Sequence, residues 1–232
     1  MTILGRVESI QVGRPRRYDD GDHSAKPWTS AIDKAPVAGS VMVGPTSLAG
    51  DEQADLEHHG GPDKSVLGYA AAHYDDWQTE FPDAPFAPGG FGENLTFSGF
   101  AEADCCVGDT VQIGDCRLQV SQPRQPCWKL SRRWGLAKLA VRVQQTGRTG
   151  WYYRVAREGL IEAGQEVRLV ERPFPEFTVA WASAVMYAKP RSASDDLRLA
   201  GCPLLSASWK ETLTQRATKK IEADPALRLE GK

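Results

Sequence analysis

Cysteine is scarce in this chain: five among 232 residues, odd in number and irregularly spaced, which argues against a secreted disulfide framework and for reduced thiols. Long apolar stretches are missing as well, and none nears the roughly 20 residues that a membrane-spanning helix needs. Met1-Gly5 begins a strand-like pattern, where a secretory leader would place a basic segment before an apolar one. Net charge is only -2, so no acidic or basic excess steers the protein to nucleic acid or to a membrane surface. Internal repeats are absent. A cytoplasmic protein without nucleic-acid or membrane partners is the expectation.

What is present is ordinary for a folded domain, with 41% hydrophobic and 25% charged residues. Ile3-Val12 alternates as a half-buried strand, and a Gly/Pro/Asp-rich loop follows from Gly13 to Pro27. Ser40-Val43 and Lys64-Tyr69 read as short strands, while Tyr74, Trp77 and Phe81 mark one face of a helix that ends before Pro82. Val111-Ile113 and Cys116-Val120 flank Gly114-Asp115, a two-residue connection suited to a hairpin. Leu136, Leu139, Ala140 and Val143 repeat at helical spacing up to Gly147, and Trp151-Val155 and Glu166-Val170 return to strand character.

Composition changes at Arg172-Pro173-Phe174-Pro175. Beyond it the pattern predicts three helices: Val179-Lys189, Ser194-Ala200, and one that opens at Ser208 with Glu211 in a capping-box spacing. The last few residues carry no structural signal. Many short strands with two interspersed helices, then helices alone, predict an α+β protein: a β-rich, barrel-like domain over 1–173 and a small three-helix domain over 174–232 that packs on it.

Ser121-Gln122-Pro123-Arg124-Gln125-Pro126-Cys127-Trp128-Lys129-Leu130 leaves the second hairpin arm with one thiol held between prolines and cations. Cations at Arg124 and Lys129 favour a thiolate, which serves either as nucleophile or as soft metal ligand. Cys127 and Arg133 stand in the C-x5-R spacing of cysteine phosphatases, but Trp128, Lys129 and Leu130 are too bulky for a phosphate-cradling loop. A zinc site of Cys127 with His58, His59, Asp51 or His73 lacks the usual paired ligands two to five residues apart. Cys105, Cys106, Cys116 and Cys202 read as packing residues.

Gly50-Asp51-Glu52-Gln53-Ala54, His59-Gly60-Gly61-Pro62-Asp63, His73-Tyr74-x-x-Trp77, Phe91-Gly92-Glu93-Asn94-Leu95, Gly108-Asp109, the Ser121-Leu130 segment and Gly147-x-x-Gly150-Trp151 together resemble the MOSC family in its YiiM-like branch. The match runs in order over nearly the whole chain. The resemblance implies a MOSC β-barrel followed by a three-helix domain and the binding of molybdenum cofactor, molybdenum held by the dithiolene of a pterin phosphate. By that likeness Cys127 supplies the protein's sulfur ligand to the metal. Arg124, Lys129 and Lys26 are the implied phosphate contacts, His59-Gly60-Gly61 a close backbone approach, and Glu93 and Asn94 the partners of the pterin ring's amino and amide groups. The implied activity is reduction of N-hydroxylated compounds (hydroxylaminopurine-type bases, amidoximes, hydroxamic acids) to the N–H forms by oxygen-atom transfer, a detoxifying oxidoreductase. Two electrons and two protons are needed. No iron-sulfur cysteine cluster and no G-x-G-x-x-G after a strand supplies them here, so an external electron-donor reductase or carrier protein is implied. The alternative is a protein that carries the cofactor or its sulfur without turnover.

Overall fold

The alternating start of the chain forms strand β1, Thr2–Val12, and the computed structural model describes residues 1–19, 27–55 and 60–231. Short strands follow at Arg16–Tyr18 (β2), Trp28–Ser30 (β3), Ala35–Pro36 (β4) and Val41–Val43 (β5). Val66–Ala70 (β6) passes through helix α1, Ala72–Glu80, to Leu95–Ser98 (β7). The hairpin is Thr110–Ile113 (β8) with Cys116–Pro123 (β9), and Ile113 pairs with Cys116 across the two-residue turn. Helices α2, Trp128–Trp134, and α3, Leu139–Thr146, lead to Trp151–Arg157 (β10), Gly159–Ile161 (β11) and Glu166–Glu171 (β12). Helices alone follow: Val179–Tyr187 (α4), Ala193–Ala200 (α5), Ala207–Lys219 (α6) and Pro225–Glu230 (α7).

Seven strands close into a barrel in the order β12-β8-β9-β10-β6-β7-β1, with β12 returning to β1. Closure removes free edges from the sheet. Neighbours run antiparallel except β6 and β7, which are parallel, and α1 provides the crossover that a parallel pair requires. The interior is filled from alternate positions by Val7, Ile10, Phe97, Ile113, Val120, Trp151 and Tyr153, all essentially without solvent exposure. Apolar faces of α1, α2 and α3 bury a second cluster against Tyr69 and Phe91. Helices α4, α5 and α6 enclose a third, around Trp209 and Leu213. Val107 from the barrel side joins that helical cluster while Val179 of α4 sits in the barrel cluster, so the helices bury their faces against the barrel. No helix among the described residues is long and apolar enough to cross a membrane.

The sequence reading holds in kind, α+β with a β-rich barrel, and departs in four details. Gly13-Pro27 is not wholly loop, because Tyr18 stacks on Trp28 at 4.2 Å and draws β2 against β3. Three helices lie among the strands, not two: α2 begins directly after Cys127, where the prolines on the N-terminal side masked it. The capping residue of α6 is Ser206, not Ser208; its Oγ accepts from the Trp209 N–H at 3.4 Å. The final residues form α7, capped by Asp224 with Pro225 at the first helical position, a start signal that the short length of the helix obscured.

Within the helices, Asp196 and Arg216 form a pair with 1% and 4% side-chain exposure, and Arg216 also donates to the carbonyls of Met186 at 2.8 Å and Val185 at 3.2 Å. Removing one partner strands the other charge in the interior, at a cost of about 3–5 kcal/mol. Asp196→Ala is therefore expected to lower the unfolding free energy by that amount in urea titration. Arg14→Ala, which removes a pair with Glu52 that is exposed at both ends, is expected to change it by less than about 1 kcal/mol.

Candidate active site

Strand β9 carries Ser121, Gln122 and Pro123 alongside β10, where Trp151 pairs with Pro123 and Tyr152 with Gln122. The chain then turns out of the sheet. Arg124 N–H donates to the Gly150 carbonyl at 3.0 Å and Arg124 Nη2 donates to the Phe91 carbonyl at 3.1 Å, so both backbone and side chain of Arg124 anchor the turn. Gly150 is at φ +71, and a Cβ there would come within 2.4 Å of the Gly68 carbonyl oxygen; no other residue fits this contact. Its N–H donates to Glu102 Oε1 at 2.7 Å, while Glu102 Oε2 is paired with His73 Nε2 at 2.7 Å. The loop ends at Cys127, whose carbonyl accepts from Leu130 N–H at the start of α2.

Cys127 opens on a recess with two parts. The inner part, about 90 Å³, is walled by barrel loops that bring Lys34, Asp51, Asn94 and Arg124 together. The outer part, about 570 Å³, adds Trp128 of α2, Ser208 of α6, and Leu227 and Arg228 of α7. Asp55, Lys64, Gln125, Cys127, Lys129 and Tyr152 border both parts. Both signs of charge line the wall: Lys34, Lys64, Arg124 and Lys129 with Asp51, Glu52 and Asp55 in the inner part, and Arg228 in addition in the outer part. Burial pushes the Lys34 ammonium below its ordinary range, opposed by its bond to Asp51, and burial likewise lowers Lys64, opposed by Asp55 and Asp63. Burial raises the Tyr152 phenol, so at neutral pH it stays protonated and lends the site no further negative charge.

The expected site residues divide. Cys127, Arg124, Lys129 and Asn94 meet at the recess. Arg124 has only 5% exposure, and its Nη1 finds no hydrogen-bond partner among the described residues. A buried, unsatisfied guanidinium nitrogen calls for an anionic or carbonyl oxygen. Asn94 borders the inner cavity but is already committed: Oδ1 accepts from Leu67 N–H at 3.1 Å, and Nδ2 donates to Asp51 at 2.9 Å and to the Gln11 carbonyl at 3.3 Å.

Two groups of expected residues lie away from the cavities, as does Arg133, set aside above despite its spacing from Cys127. Glu93 borders neither cavity; it is fully buried and its carboxylate accepts from Gly89 N–H, Phe91 N–H, Tyr74 and Thr96, which makes it the internal brace of the glycine turn. Gly60 and Gly61 also border neither part, and Gly61, at φ +92, opens the turn before Lys64. Arg133 of the C-x5-R spacing is drawn to Asp33 at 2.6 Å and is likewise absent from the wall. Lys26, His58 and His59 lie outside the described residues. No three His, Cys, Asp or Glu side chains among the described residues gather as a metal-binding group.

Lys34, Lys64, Gln122, Gln125 and Tyr152 are the wall residues that sequence reasoning missed. Gln122, Gln125 and Lys64 stand in or beside quoted motifs, and Tyr152 sits beside Trp151, so motif position was the available signal. Lys34 carried none. It reaches the wall because Asp51 holds its ammonium while accepting from Gly13 N–H at 2.8 Å.

Comparison with known proteins places this geometry among relatives. The MOSC domain matches residues 55–168. The protein YiiM of Escherichia coli strain K12 is 36% identical over 225 residues, 96% of this chain and 97% of that protein. A protein named Reductase from Gibberella moniliformis is 38% identical over 164 residues, 69% of this chain but 29% of that longer protein. The crystal structure of YiiM from Geobacillus stearothermophilus superposes with a TM-score of 0.77 at 37% identity, covering 92% of this chain and 99% of the other.

Cys127 is the partly exposed cysteine, whereas Cys105, Cys106, Cys116 and Cys202 are buried. Burial pushes Cys106 up to about 11 and Cys116 up to about 12, and raises Cys105 and Cys202. At pH 8 Cys106 is therefore ionised to only about one part in a thousand, tenfold per pH unit. Brief iodoacetamide treatment of the native protein at pH 8 is expected to alkylate Cys127 alone, with all five thiols reacting in denaturant, as read by peptide mass spectrometry.

Proposed function

The chain belongs to the MOSC domain family, in its YiiM-like branch, and from that membership we propose that it is a molybdenum-cofactor-dependent reductase of N-hydroxylated compounds. One observation carries the reading: a single accessible thiol faces a recess whose wall holds Arg124 with an unpartnered Nη1, beside Lys34, Lys64 and Lys129. The donor set fits the group. A guanidinium nitrogen without an acceptor suits a pterin phosphate oxygen, lysines add positive charge at the same rim, and a cysteine sulfur is the soft ligand that such a metal takes. The recess, at hundreds of Å³, is of small-molecule size.

When bound, the cofactor supplies two-electron oxygen-atom chemistry, converting R–NH–OH, two electrons and two protons to R–NH2 and water. The chain's own residues do the rest. Arg124, locked to Gly150 and Phe91, fixes where the anionic end lies relative to Cys127. Tyr152 borders both cavities, and its phenol, kept neutral by burial, adds no negative charge beside Arg124 and Cys127. The walls of barrel loop and helix limit water around the thiol. Electrons come from a separate protein in this reading.

Holoprotein purified from cells that make the cofactor and reduced chemically is expected to convert hydroxylaminopurine and benzamidoxime to the amino compounds, followed by chromatography. Cys127→Ser is expected to lose more than about 100-fold of that rate, beyond the cost of removing an outer-shell partner. A fully metallated wild type that leaves both substrates unchanged, while a working relative converts them, would overturn the reductase reading in favour of a cofactor carrier.

A further inference from the structure

Helix α7 forms part of the outer cavity wall and is held there lightly. Leu227 and Arg228 border the cavity, yet no residue of the helix is buried and Leu227 is 62% exposed. Its six residues make fewer than two turns, too few to persist as a helix without contacts to the rest of the protein. The chain leading into it, 218–225, is exposed throughout, and 220–224 have no regular structure. Lys220 ends α6 at φ +55, where the backbone turns away from the helix.

The connection is pinned beside the end of α4. Glu222 accepts from Arg191, whose Nη1 donates to the carbonyls of Met186 at 2.8 Å and Ala188 at 2.7 Å. Further on, Arg228 donates to the carbonyl of Pro126 and to Gln144 Oε1 of α3 at 2.6 Å, and its guanidinium lies 5.7 Å from the Tyr187 ring. Gly231 then abuts the ring of Trp128. Pro126 immediately precedes Cys127, so the position of α7 is tied to the thiol loop. Holds of this kind, made by exposed and half-buried groups, break in local opening well before a fold is lost.

We infer that α7 is a lid on the outer cavity, hinged at 220–224 and latched by Arg228, and that it sets the size of molecule that reaches Cys127. The lid is closed in this structure. Release of Arg228 from Pro126 and Gln144 lets the helix swing about the Arg191–Glu222 pin, which takes Leu227 and Arg228 out of the wall. Asp55, Lys64, Gln125, Trp128 and Lys129 stay, since they belong to barrel loops and α2. Cys127 is partly exposed with the lid closed, so small molecules pass and large ones wait for opening. Access to the thiol is set this way whichever ligand the recess takes, so the lid stands apart from the reductase reading.

The test uses full-length protein from cells that make no cofactor, in which Cys127 is free to react. N-Ethylmaleimide and N-(1-pyrenyl)maleimide share one chemistry and are both neutral, so loss of the Arg228 charge leaves their attraction to the site unaltered. Each rate is divided by the same reagent's rate with N-acetylcysteine, and peptide mass spectrometry confirms Cys127 as the site. Wild type is expected to disfavour the pyrenyl reagent by about tenfold or more, as opening must precede its reaction. Arg228→Ala is expected to accelerate the pyrenyl reagent about tenfold while N-ethylmaleimide changes less than about threefold, because the latch bonds are lost and the thiol loop is kept. Gln144→Ala, which alters neither α7 nor the thiol loop, is expected to accelerate the pyrenyl reagent about threefold. Arg228→Lys, which keeps a cationic donor for the Pro126 carbonyl, is expected to retain the wild-type discrimination. Absence of size discrimination in wild type overturns the lid whether or not the variants fold. Equal acceleration of both reagents in Arg228→Ala would overturn it too, by showing that the thiol loop itself has loosened, as would unchanged discrimination in both alanine variants.

Discussion

The site depends on one backbone hydrogen bond, from Arg124 N–H to the Gly150 carbonyl, at the point where β9 leaves the barrel. Everything on the N-terminal side of it is ladder, with Pro123 still paired to Trp151; everything beyond it is loop. The two prolines remove donors that would otherwise compete to extend the ladder, and they restrict the backbone on either side of Arg124. Gly150 holds its carbonyl in place through its own N–H, which Glu102 accepts, and Glu102 is shared with His73 of α1. A buried carboxylate at the far side of the barrel wall thus sets where the thiol loop begins. Polar contacts run from His73 of α1 through Glu102 and Gly150 to Arg124, three residues before Cys127.

Buried charge follows the same division of work. Glu93 and Asp51 look alike in sequence, an acidic residue beside glycines, yet neither carboxylate is offered to a ligand. Glu93 accepts four bonds inside its turn, and Asp51 accepts from Gly13, Lys34 and Asn94. These two carboxylates hold loops, while Arg124 keeps one guanidinium nitrogen without a partner among the described residues. With Lys34 neutralised by Asp51, the positive field at the inner cavity is weighted towards Arg124 and Lys129, the two cations nearest in sequence to Cys127. Trp128 adds rigidity beside them, its ring covered by Arg132 at 4.8 Å and edged by Trp28 at 5.5 Å.

Legibility in the sequence tracked how local the cause was. The β8–β9 hairpin was readable because a two-residue turn and alternating sides are decided by neighbours, and Ile113 indeed meets Cys116. Strand β1 followed from alternation in the same way, and β6, β10 and β12 from the strand character of their sequences. β7 was not read as a strand, although it is central, since its register is set by β1 and β6 from distant parts of the chain. Cys127, Arg124 and Lys129 were legible as a site from motif and family resemblance. Glu93 was misread because a carboxylate after a glycine turn looks the same whether it points to a ligand or back into its own turn. Lys34 was unreadable: its approach to Cys127 is a property of the closed barrel, not of any segment.

Residues before β12, among them Asp55, Lys64 and Gln125, line part of the outer cavity beside Cys127 but do not complete it. The helices after β12 change this. Their core is shared with the barrel through Val107 and Val179, which fixes α4, and α6 and α7 then run back to the mouth of the recess. Gly231, at φ +71, ends α7 against the ring of Trp128, where a Cβ would come within 2.9 Å of ring atoms, so helix and ring meet as closely as backbone allows. Arg228 closes the circuit at the Pro126 carbonyl. The barrel positions the sulfur and the anion-binding cation, and the C-terminal helices give the opposite side a wall. Barrel loops line the inner cavity and the C-terminal helices complete the outer one, and Cys127 borders both.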